Sequence, residues 1–241
     1  MRFGKSDKIQ FISTVKGLES IEECLPRPAK HFIPQWFKNI PSADPNTVKN
    51  CPSFPDYFSQ GYIIPMWADI LLQYDKIKDE YQWKSCDGLW NWDTHTNNQF
   101  LKYKKTNFLG TDAQFVFKTN SPWRIITPPG WSVLQLPLFY HFNQEWSVLP
   151  GVIDTDIHSE INQQVLYHGN GKEVAINRGD PFVLYIPFKR SNKLNYEVKY
   201  QDKKHINIFS NQYVFLSSKF RPNGAYRKLQ RKRDKKITKG D

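Results

Sequence analysis

From Gly61 onward the chain reads as short apolar or alternating runs: GYIIPMWADILL, AQFVFKT, RIITPPGWSVLQLP, WSVLPGVIDT, QQVLYH, FVLYIPF and NYEVKY. Each is bounded by Gly, Pro, Asn or Asp, and runs of this length between such punctuation predict β-strands. Strand follows strand with no helix of usable length between them. HGNGKE, at His168 to Glu173, sets Asn-Gly between QQVLYH and EVAIN, the signal of a tight hairpin. One earlier strand is predicted in IQFISTV, Ile9 to Val15, with Ile9 and Phe11 on one face. Residues 26–60 carry Pro26, Pro28, Pro34, Pro41, Pro45, Pro52 and Pro55, which fix φ and remove ladder donors. That section is expected to be irregular, with short helices at most near Leu18 to Cys24 and Gln35 to Asn39.

These patterns predict an all-β fold, a double-stranded β-helix or jelly-roll over residues 61–218. A Pro-rich segment, 1–60, would pack on the body through Phe32, Trp36, Phe37, Phe54, Tyr57 and Phe58, and a basic tail would follow over 219–241. Hydrophobic residues at 39% and aromatics at 15% are enough for a packed core. The net charge of +11 is concentrated: residues 219–241 hold ten Lys or Arg against two Asp, leaving +3 for all the rest. A tail of this kind suits phosphate-rich partners such as nucleic acid, and suits equally a solvated end. Cys24, Cys51 and Cys86 are an odd set without a Cys-x-x-Cys pair, against both a disulfide framework and a cysteine zinc site. The polar start MRFGKSDKIQ and the lack of an apolar run near 18 residues lead to the expectation of a soluble protein retained in the cell, with no membrane partner.

Two stretches carry a resemblance. The first is TVKNCPSFPDYFSQGYIIPMWADI; the second is TPPGWSVLQLP followed by GVIDTD and RGDPFVLYIPF. They resemble an uncharacterised family encoded by tailed phages, especially those of marine cyanobacteria, and by some bacteria. The resemblance covers about the middle two-thirds of the chain and implies phage origin, hence the cytoplasm of an infected host cell or the virion. It brings no assigned activity. The second stretch is also similar to a degenerate cupin frame, with Pro129-Gly130 opening one strand and Gly179-Asp180 with Pro187 marking another. The cupin metal kit is missing from it. Trp131, Val133 and Leu134 stand where histidines belong, and Lys189 to Asn192 offer none after Pro187.

Candidate chemistry is sparse. Asp154 and Asp156 would share a face of an extended segment, close enough to perturb each other or hold a hard cation. Trp131, Trp123 and Trp146, with Tyr140 and His141, could line a ligand cavity in the barrel, although core packing accounts for most of them. His158 and Glu160 would share a strand face and, with His205, could offer Fe(II) two imidazoles and a carboxylate, with Arg221 for the carboxylate of 2-oxoglutarate. A surface strand explains His158 and Glu160 more simply. Asp93 and His95 read as turn chemistry. No Gly-x-Ser-x-Gly and no local Cys/His pairing supports nucleophilic catalysis.

The function expected is therefore binding, of a small molecule in the barrel or of a macromolecule, through Trp131, His141, Asp154 and Asp156 and without a cofactor. An Fe(II)/2-oxoglutarate oxygenase and a virion accessory or decoration protein are the alternatives.

Overall fold

The computed structural model describes residues 8–41, 47–75, 80–85, 92–94, 115–168, 173–191, 194–216, 228–232 and 234. The chain divides into two compact units, Met1–Phe32 with Gly61–Asn192, and Ile33–Gln60 with Lys193–Asp241. The β body therefore ends near Asn192 rather than Ser218, and half of the Pro-rich segment belongs to the other unit.

The first unit is antiparallel β. Its strands in chain order are β1 (Gln10–Ser13), β2 (Arg27–Pro28), β3 (Tyr62–Pro65), β4 (Ile70–Asp75), β5 (Glu80–Ser85), β6 (Trp92–Thr94) and β7 (Phe115–Asn120). They continue as β8 (Trp123–Ile126), β9 (Trp131–Leu136), β10 (Trp146–Val148), β11 (Gly151–Ile153), β12 (Asn162–Tyr167), β13 (Val174–Ile176) and β14 (Pro181–Lys189). One sheet has the order β11-β9-β14-β3-β2, a second β10-β12-β7-β6, a third β13-β4-β5, and β1 pairs with β8. Alternation decides what each strand buries. Val133 and Tyr185 of the first sheet, Phe117, Val165 and Tyr167 of the second, and Leu72, Val174 and Ile176 of the third all join one buried cluster.

Polar residues cross this core in a chain. Gln163 Nε2 donates to the Tyr185 hydroxyl at 3.1 Å, that hydroxyl donates to Gln135 Oε1 at 2.9 Å, and Gln135 Nε2 donates to the Leu149 carbonyl at 2.8 Å. Gln163 lies on β12, Tyr185 on β14 and Gln135 on β9, so the chain ties one sheet to the other. Burial raises the pKa of the Tyr185 hydroxyl, which stays protonated and able to donate. At the entry to β3, Gly61 has φ +69° and a Cβ there would lie 2.2 Å from the Tyr185 carbonyl oxygen, so only glycine lets the two strands approach.

The structure departs from the sequence expectations in three places. β12 is paired on both sides, by β10 and β7, while β13 pairs with β4. The strands flanking HGNGKE thus do not pair with each other, because β12 has no free edge, and the Asn170-Gly171 turn itself lies outside the described residues. NYEVKY joins no ladder, and Lys203–Leu216 is helix. That helix is started by Asp202, whose carboxylate accepts from the His205 backbone N–H at 2.9 Å while its carbonyl accepts from that of Ile206 at 3.0 Å, an N-cap. Third, GYIIPMWADILL is broken between Pro65 and Ile70, where Met66 N–H bonds the Asp180 carbonyl and Gly179 N–H bonds the Met66 carbonyl, each at 2.8 Å.

The second unit contains the short helices Gln35–Asn39 and Ser53–Phe58. Phe37 packs on Phe58 with ring centroids 4.9 Å apart and stacks on Phe54 at 6.2 Å. Lys49 donates to the carbonyls of Lys38 and Ile40, and Gln230, from the basic tail, donates to the Asp56 carboxylate at 2.9 Å.

Tyr185→Phe removes the hydroxyl and leaves Gln163 Nε2 and Gln135 Oε1 buried without it. The expected cost is about 1–3 kcal/mol. Urea unfolding should show a lower midpoint at unchanged slope, and an unchanged midpoint would mean that the chain contributes nothing to stability.

Candidate functional site

Trp131, Asp154 and Asp156 are brought together, and Arg190 is what joins them. The strand ends set the geometry: Lys189 of β14 stands opposite Trp131 of β9, so Arg190 follows directly beside the start of β9. The turn after β11 delivers the acids, with the N–H groups of Ile157 and His158 both bonding the Asp154 carbonyl at 2.9 Å. Arg190 Nη1 donates to the Trp131 carbonyl (3.0 Å), Ser132 Oγ (2.8 Å) and Asp156 Oδ1 (2.9 Å), and Nη2 donates to Asp156 Oδ2 at 2.6 Å. Asp154 Oδ1 lies 3.3 Å from Nη1 and accepts from Ser132 Oγ at 2.6 Å. The Gly130 N–H donates to Asp156 Oδ2 at 2.7 Å, and the Thr127 and Thr155 hydroxyls meet at 2.7 Å.

The Asp156 side chain is 8% exposed. Its pKa is held below the usual carboxylate value by the Arg190 hydrogen bonds first, then by the Gly130 N–H and the guanidinium charge, against the opposing effect of burial. An acid so held is ionised at neutral pH and is a poor base, so this group clamps structure and does not transfer protons.

What the clamp holds is one wall of a cleft of about 630 Å³, lined by Lys8, Ile9, Tyr62, Thr127, Pro128, Trp131, Pro187 and Lys189. The pairs Lys189–Trp131, Pro187–Val133 and Tyr185–Tyr62 are in register, so the cleft continues the inner face of the sheet outward from buried Tyr185. It opens at the end of the β body. Two lysines, two aromatic rings and two prolines give it a cationic, flat-walled character.

His141 is not part of this group. It lines a second cleft of about 980 Å³ with Pro137, Phe139, Phe142, Glu145, Trp146 and Ser147, among others, and burial lowers its pKa. Nearby, Ser147 Oγ lies 2.8 Å from His168 Nε2, but His168 Nδ1 is buried without a partner, so no acid orients that imidazole as a nucleophile's base would require. Trp123 belongs to the buried core.

Of the residues of the oxygenase alternative, His158 and Glu160 do not share a strand face. Residues 158–160 form no strand, which removes the alternation that would align His158 with Glu160. Glu160 instead pairs with Arg124 at 2.8 Å, and His205 sits at the start of the helix in the other unit, 2.9 Å from Asp202. No group of three or more His, Cys, Asp or Glu able to hold a metal ion occurs among the described residues. His95, Arg221 and the side chain of Asp93 lie outside them.

Sequence reasoning missed Arg190, Tyr62, Lys8 and Lys189. Arg190 lies in the stretch after Pro187 where the cupin frame would place a histidine, and the alternation from Tyr185 through Pro187 to Lys189 was the signal that put a lysine on the inner face.

Burial holds His141 and His168 below the ordinary imidazole pKa of about 6.5. The unfolded chain then takes up protons first as pH falls, so stability is full above about pH 6.5 and declines below it. Asp156 adds a second loss of the same sign below about pH 3.9, where the unfolded carboxylate protonates before the clamped one. Denaturation midpoints should drop between pH 7 and 5, less so in His168→Gln, and again below pH 4, less so in Asp156→Asn. A midpoint that rises on acidification to pH 5 would contradict the assignment.

No family model and no curated protein matches the chain. Among solved structures it is similar to the native dUTPase of EIAV, at 11% identity and TM-score 0.32, over 60% of this chain and 85% of that one. It is also similar to two dUTPase structures from phage phi11 of S. aureus. One is of a mutant with a structural Mg(II) ion, at 13% identity, TM-score 0.28, 39% of this chain and 76% of that one. The other shows the species-specific insert, at 12% identity, TM-score 0.26, 39% of this chain and 80% of that one. Likenesses at these scores carry no argument about what the chain does.

Proposed function

We propose that this is a binding protein whose ligand is a small anion carrying a flat ring, a nucleotide being the representative case. The observation that carries the reading is the make-up of the cleft: Trp131 and Tyr62 as ring-sized walls, with Lys8 and Lys189 supplying positive charge. Stacking on an aromatic face and attraction of a phosphate to lysine are separate contributions, and a nucleotide collects both. Arg190 and the two aspartates act by holding the Trp131 strand end in place. In this reading the frame is a jelly-roll of cupin-like kind, with Gly130 (φ 84°) and Gly179 (φ 85°) at its strand-entry turns. The protein is phage-encoded and works in the cytoplasm of the infected cell without a metal, and its basic tail can bring it to nucleic acid.

Calorimetric titration with nucleoside monophosphates, the parent nucleosides and inorganic phosphate tests this directly. The monophosphates should bind more tightly than either fragment. Trp131→Ala should weaken them by roughly 5- to 150-fold, the equivalent of about 1–3 kcal/mol of stacking. Lys189→Ala should weaken the monophosphates but not the nucleosides, and should flatten the salt dependence. Absence of saturable binding, or binding indifferent to both changes, would overturn the proposal.

A further inference from the structure

After the turn that ends β14, the segment Leu194 to Tyr200 reads LNYEVKY, apolar at every second position. Among the described residues it joins no ladder over 194–202, and Leu194, Tyr196, Val198 and Tyr200 are 93%, 92%, 88% and 90% exposed. Four large apolar side chains in strand spacing, left in water, are the pattern of a strand that lacks its neighbour. The helix Lys203–Leu216 follows at once and exposes Ile206 and Phe209, three residues apart on one face, at 45% and 52%.

The segment fits one partner through its own sequence. Pairing two copies antiparallel about a twofold axis at Val198 places Glu197 opposite the partner's Lys199, and Lys199 opposite the partner's Glu197. The same register sets Tyr196 against the partner's Tyr200, and Asn195 against the partner's Gln201. Every charged position then meets its opposite and every aromatic meets an aromatic, which is how cross-strand pairs stabilise a ladder. A register centred on Glu197 would instead place like charges in contact. In the single chain Glu197 and Lys199 bond each other at 2.8 Å on the polar face, so both already point away from the apolar one.

We infer that residues 195–201 form an antiparallel two-stranded ribbon with a second copy of this chain, centred on Val198. A two-stranded ribbon alone is marginal in water. The exposed Ile206 and Phe209 of the two following helices supply apolar surface to cover the face of Tyr196, Val198 and Tyr200. The contact is isologous, the same patch on both copies, and closes as a dimer.

Sedimentation of the full-length chain over a range of concentrations reads this out. A concentration-dependent dimer is expected. Glu197→Lys alone or Lys199→Glu alone should raise the dimer Kd by at least about fivefold, since each puts two like-charged pairs across the ribbon, and the double exchange should restore it. Val198→Cys should cross-link copies readily under mild oxidation, because it stands opposite itself, whereas Asn195→Cys should not. These side chains are exposed, so circular dichroism should report an intact fold in each variant. A monomer at all concentrations would overturn the inference, as would a dimer untouched by the single charge changes or not restored by the double one.

Discussion

The hydroxyl of Tyr185 is the point on which the β body turns. It is fully buried, and an isolated hydroxyl in that position would cost more than most single contacts return. Its two side-chain partners sit on different sheets, Gln163 on β12 and Gln135 on β9, so satisfying it requires both sheets in one relative register. A slip of one residue in β14 would move Tyr185 to the other face and strand both glutamines. Gly61 serves the same constraint from the neighbouring strand, since a side chain there would collide with the Tyr185 carbonyl and push β3 away.

Arg190 applies a related logic at the surface. Its guanidinium is partly exposed, yet the carboxylate it grips is not, and an ionised Asp156 in that place is tolerable only because its oxygens are filled by Arg190 and the Gly130 N–H. The result is a fixed junction of the starts of β9 and the 154–156 turn with the end of β14. Such a junction gives the adjoining cleft a pre-formed wall, which lowers the ordering cost that a ligand would otherwise meet.

Much of the β body was legible because burial on one face leaves a period that needs no partner to be read. β7, β9, β12 and β14 stand where their apolar runs predict, and the short helices near Leu18 and Gln35 fall where proline allows them. What failed were inferences about pairing. Asn-Gly between β12 and β13 favours a hairpin locally, but β12 spends both edges on β10 and β7. NYEVKY has the strand period and no ladder, since a pattern states what a segment can bury and not whether an edge exists for it. The site was half legible for a similar reason. Trp131, Asp154 and Asp156 stand out as residue types, whereas Arg190, 34 positions beyond Asp156, becomes meaningful only when two strand ends meet. Polar Gln135 and Gln163 inside strands resemble surface positions until the opposing sheet supplies their partner.

The alternation along β14 also links the buried interior to the cleft at its end. The inner faces around Tyr185 are occupied by Val133, Gln135, Val165 and Gln163, all buried. The alternation that puts Tyr185 in the core carries Pro187 and then Lys189 outward along the same face of β14, opposite Val133 and then Trp131. The strand thus changes from hydrocarbon-packed to cationic and aromatic within two pleats, just where the sheet runs past the end of the body. The same side-chain periodicity that seals the core around Tyr185 is what exposes the lysine beside the tryptophan, and it is this juxtaposition on which the proposed binding of a flat anion rests.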